Sequence, residues 1–139
     1  MTKKVSFKNA FLAGLMAAGT AAAVNAILFF IFHAAGLITD DIEIQPGQHM
    51  TVVPVLLSSI MPTLIACIVF WVIERLTKRG IMIFTIVSIV LLLLSFSNPF
   101  VMIPNVTIGY GVALNVLHVV VVASLLFYLR RAVKKAANS

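Results

Sequence analysis

Between Ala10 and Leu37 the chain carries no Asp, Glu, Lys or Arg. A helix with no charged face sits in a large protein core or in lipid. A chain of 139 residues is too short to wrap such a helix in protein on every side. Three more runs share the property: Thr51–Ile73, Ile81–Phe96 and Thr107–Leu129. A membrane helix needs about 20 mostly apolar residues. All four runs meet or approach that length, and the third is the shortest. Only 10% of the residues are charged, against roughly 25% in a soluble domain. The expected fold is an all-α integral membrane protein, an antiparallel four-transmembrane-helix bundle. It forms a single domain over 1–139, with spans at about 10–37, 51–73, 81–96 and 107–129.

The connections carry turn chemistry. "ERLTKRG" makes a tight turn between the second and third spans. "ITDDIEIQPGQHM" joins the first two spans and is broken by Pro46-Gly47. "SNPFVMIPNV" joins the last two, broken by Pro99 and Pro104.

The charges orient the spans. Lys3, Lys4 and Lys8 precede the first run, Arg75, Lys78 and Arg79 follow the second, and Arg130, Arg131, Lys134 and Lys135 follow the fourth. With four crossings these clusters share one side, and Asp40, Asp41 and Glu43 fall on the other; only Glu74 lies with the bases. The positive-inside rule then places both termini in the cytoplasm. Trp71 and Tyr128 near the inner ends, and Tyr110 near an outer end, suit interfacial aromatics.

The net charge of +6 is read as this topology signal and as contact with anionic membrane lipid, not as a nucleic-acid surface. Cys67 is the single cysteine. It excludes an intrachain disulfide and the disulfide-forming membrane enzymes that need cysteine pairs. The first 26 residues have the layout of a secretory signal. The apolar run continues through "ILFFIFHAAGL", and cleavage after Ala26 would leave a stump too short to cross. The segment is expected to stay as the first span.

In lipid no hydrophobic force draws helices together; close backbone approach and polar contacts do. Gly14, Ala18, Ala22 and Ala26 recur every four residues and form a small-residue stripe. It can pack within the chain or against a second copy, so a homo-oligomer stays open. Asn25 lies beside the stripe and is expected to face other helices. Gly111, Asn115, His118 and Val122 share one face of the fourth run. Pro62, one turn after Ser58 and Ser59, frees a carbonyl and predicts a break in the second.

Depth follows from a rise of ~1.5 Å per residue counted from the basic ends. Asn25 lies about 25 Å up, Ser59 and Asn115 about 22 Å, Ser95 about 21 Å and His118 about 18 Å. The expectation is a buried polar layer of Asn25, Ser59, Ser95, Asn115 and His118. One reading makes it a ligand-binding site; the other makes it hydrogen-bonded packing between helices. His33 comes out about 37 Å up, at the outer boundary, beside the acidic loop.

The chemistry open to these residues is narrow. His33, His49, Asp40, Asp41 and Glu43 have the donor types for a metal but match no compact ligand motif. His33 and His118 differ by roughly 19 Å in depth, which excludes one haem clamped between them. No carboxylate lies in mid-span, against the usual pattern of proton-coupled exporters. No Ser-His-Asp set, HExxH motif or acid pair is present. The expectation is a non-enzymatic protein without cofactor or metal. It binds or passes a small polar or amphipathic molecule or lipid. The alternative is a structural or accessory subunit.

The segments "AVNAILFFIFHAAG", "TDDIEIQPGQHMTVVPVLLSSIMPTLIA", "LLLLSFSNPF" and "ALNVLHVVVV" resemble a family of small bacterial four-span membrane proteins of unknown function. The resemblance covers nearly the whole chain. It implies a multi-pass protein of a bacterial inner membrane and supplies no activity or catalytic residue.

Overall fold

A computed structural model describes residues 3–139. The chain forms a four-helix bundle from α1 (Phe7–Ala34), α2 (Val52–Leu76), α3 (Gly80–Ser95), the short α4 (Asn98–Met102) and α5 (Ile108–Ala137). A small hairpin of β1 (Glu43–Gln45) and β2 (Gln48–His49) stands between α1 and α2. α3 and α4 together supply the third apolar crossing, Gly80–Met102, and all four crossings are long and apolar enough to span a membrane. This is a multi-pass membrane protein.

The helix ends follow from local chemistry. The Ser6 hydroxyl accepts from the Asn9 amide and starts α1; Thr107 accepts from the Tyr110 amide and starts α5. Pro54 sits in the first turn of α2, where an amide would have no helical partner anyway. The Lys4 ammonium donates to the carbonyls of Arg75 and Thr77 at 2.8 and 3.3 Å. It thereby covers open carbonyls at the C-terminal end of α2. That contact gathers the N-terminal segment and the α2–α3 turn at one end of the bundle. Val5, Ala10, Phe70, Phe84 and Leu129 pack in one cluster there, with Ala132 and Ala136 against it. All three basic clusters therefore share that end.

α1 packs against α2 and α5; α3 stands diagonally opposite α1 and touches the same two helices more sparsely. The small-residue stripe sets this arrangement. Ala10, Ala13, Gly14, Ala17, Ala18, Ala21 and Ala22 are all buried. A Cβ placed on Gly14 would lie 2.5 Å from Cys67 Sγ and 2.7 Å from its Cβ. Gly14 is thus a point of close approach between α1 and α2. The stripe is used within the chain.

Two connections differ from simple loops. The acidic loop forms the hairpin, turning at Pro46-Gly47 with Gly47 at φ 76°. Its preceding stretch folds over the bundle, so Ile38 and Ile42 join Phe29, Val55 and Tyr110 in a second apolar cluster. Tyr110 is consequently fully buried instead of lying at an exposed interface. The other difference is α4, which resumes helical structure after a break at Phe96 and Ser97. Pro99 lies in its first turn, where it lacks only an amide the helix does not use.

Candidate functional site

The five polar residues expected in one layer divide between two places. Asn25, on α1, is 1% exposed. Its Nδ2 donates to Ser59 Oγ on α2 at 2.9 Å and to the Leu117 carbonyl on α5 at 3.1 Å. Ser59 Oγ donates onward to the Val55 carbonyl at 2.7 Å. One amide thus ties three helices together. Asn25 Oδ1 is buried without a hydrogen-bond partner.

The second place is the α3 side. Ser95 and His118 line a cleft of about 350 Å³ between α2, α3 and α5. Ser58, Pro62, Thr63, Ser88 and Leu92 share the lining. His118 Nδ1 is buried with no hydrogen-bond partner. Ser58, Thr63 and Ser95 each donate their hydroxyl proton to a carbonyl of their own helix, those of Val55, Ser59 and Leu92. Each oxygen keeps acceptor capacity. The cleft thus offers acceptors and one imidazole on an apolar wall.

Asn115 stands at the top of this region. Its Nδ2 donates to the Phe96 carbonyl at 3.0 Å. Phe96 closes α3 where the helix stops, and its carbonyl has no continuing helix to accept from. Asn115 satisfies across helices the group that the break exposes, as a broken membrane helix requires. One turn away on α5, Gly111 leaves room for the Phe100 ring, which a Cβ there would overlap. The face Gly111, Asn115, His118 and Val122 is therefore turned to α3 and α4.

The break expected at Pro62 does not interrupt α2, which runs as one helix through it. Ser59 is buried away from the cleft, while Ser58, Pro62 and the buried Thr63 line it. Ser88 was not singled out from the sequence. Its signal was available: Ser88 and Ser95 are seven residues apart, two turns along one face. At the end of the bundle away from the basic clusters, His33 Nε2 lies 3.1 Å from Asp40 Oδ1. Among the described residues no three His, Cys, Asp or Glu side chains converge on a metal-sized site.

A family model described as "Family of unknown function (DUF6069)" matches residues 6–135. The chain belongs to this family. Residues 6–135 take in every helix of the DUF6069 bundle up to the last two residues of α5. No functionally curated protein and no solved structure matches the chain.

Proposed function

We propose that the α2/α3/α5 cleft binds, or passes, a small polar or amphipathic molecule or lipid, and that the protein is not an enzyme. The observation that carries this reading is His118: the residue lines a cleft walled by Pro62, Leu92 and serines, and its Nδ1 is buried without a partner. A polar atom left unsatisfied away from water costs free energy, and polar side chains inside a membrane are candidates for function. The hydroxyls of Ser58 and Ser95 offer acceptors, because their protons are already bonded. That chemistry favours a ligand with an O–H or N–H head and an apolar body. The gathering of the basic clusters at one end supports a cytoplasmic position for that end, and the resemblance noted above supports a bacterial inner membrane.

Asn25 favours a second reading, an accessory or structural subunit whose polar groups fix helix packing. Its amide protons are both bonded within the bundle, and it does not line the cleft.

Native mass spectrometry of the protein in mild detergent separates the two. A reproducible bound mass in the wild type, lost in His118→Leu and Ser95→Ala with thermal stability unchanged, supports the ligand reading. Absence of a bound mass, or one that His118→Leu leaves in place, sinks it. A His118→Leu chain that simply unfolds favours the packing reading.

A further inference from the structure

The basic end holds another recess, with no lining residue in common with the cleft. It lies between α1 and α5, encloses about 440 Å³, and is lined by Asn9, Leu12, Ala13 and Met16 from one helix. Tyr128, Arg131, Ala132 and Lys135 line it from the other. Both sets follow the i, i+3, i+4, i+7 spacing of a single helical face. Because α1 and α5 run in opposite directions, the two sets grade together. Asn9, Arg131 and Lys135 lie at the mouth, toward the basic end of the bundle, and Leu12 and Met16 continue toward the membrane interior. Thr20, one turn beyond Met16, shares a 2.9 Å hydrogen bond with Tyr128 Oη and closes the inner end. Ala13 and Ala132 keep the floor low.

The charge in this groove is uncompensated. Among the described residues no carboxylate lies within 4.0 Å of Arg131 or Lys135. Three of the four acidic residues, Asp40, Asp41 and Glu43, belong to the opposite end of the bundle. Cations placed over an apolar floor, at the depth where a span leaves the membrane, match one kind of molecule. It has an anionic head at the surface and hydrocarbon running inward. Arginine beside lysine suits a phosphate, which accepts several charge-assisted hydrogen bonds at once.

We infer that the α1/α5 groove seats one anionic phospholipid, its phosphate held by Arg131 and Lys135 and its acyl chain lying along Leu12 and Met16. This site is separate from the cleft proposed above, and either can stand without the other.

The test uses the full chain reconstituted in vesicles of equal phosphatidylglycerol and phosphatidylcholine. Retained lipid is counted by native mass spectrometry after mild detergent extraction. The wild type is expected to keep about one phosphatidylglycerol per chain and to prefer it to phosphatidylcholine. The exposed pair Arg131→Gln/Lys135→Gln should lower that preference roughly tenfold. Ala132→Leu, which fills the floor and leaves every charge in place, should also remove the retained lipid. Lys78→Gln/Arg79→Gln removes the same charge from the same end, away from the groove, and should change the preference less than about twofold. The inference is overturned if this control pair acts as strongly as the groove pair. It is equally overturned if Ala132→Leu changes nothing, if phosphatidylcholine is kept as well, or if excess glycerol phosphate displaces the lipid.

Discussion

α1 and α3 cross the same bundle on opposite corners, and they are held there by different means. Along α1, alanines and Gly14 are buried one after another, and α2 comes close enough that Gly14 faces Cys67 without room for a Cβ. α3 is richer in leucine, isoleucine and valine, yet only Gly80, Phe84 and Thr85 are buried, and Ile86, Val90, Leu93 and Leu94 face outward. In water the greasier helix would be the core. In lipid its large side chains gain as much from acyl chains as from protein, so small residues and hydrogen bonds decide which helix packs.

The sharpest way to break that contrast is Gly14→Ala. One methyl group pressed against Cys67 should cost about 1–3 kcal/mol of unfolding free energy in detergent. Adding Cys67→Gly should restore most of it; a double variant as unstable as the single one would show that close approach is not the reason. Asn25→Ala comes next. It removes the bonds to Ser59 and to the Leu117 carbonyl, and interhelical bonds in membranes average about 0.6 kcal/mol and reach about 1.7. A loss of roughly 1 kcal/mol is expected, kept small by the simultaneous removal of the unpaired Oδ1. The smallest effect belongs to α3. Leu93→Ala trims a side chain turned to lipid and should change stability by less than about 0.5 kcal/mol, measured by the same unfolding assay. A cost equal to that of Gly14→Ala would erase the distinction between the two corners.

Much of this was legible in the residue order. The four crossings follow from the absence of charge, because burying an ion in hydrocarbon is costly enough to leave a gap in the sequence. The stripe on α1 and the inward face of Asn25 follow from a spacing of three and four. The directions of the polar residues were not legible. Counting residues gives a height along the helix axis, and says nothing of which neighbour stands at each azimuth. Ser58 and Ser59 show the cost. They are adjacent in sequence and rotated by roughly 100°, so one opens on the cleft and the other meets Asn25. The burial of Tyr110 was hidden for a similar reason. It depends on Ile38 and Ile42 folding back from a loop whose acids and Pro-Gly turn advertise only solvent. Asn115 could not be assigned its partner either, since the Phe96 carbonyl needs one only because α3 stops there.

The attachment of α3 has a mechanical consequence. At one end Gly80 lies so close to Glu74 that a Cβ would overlap it. At the other end Asn115 holds the Phe96 carbonyl. Between those fixed points Ser88, Leu91 and Leu92 line the cleft. α3 is thus a beam pinned at both ends, and the wall it gives the cleft lies between the two pins.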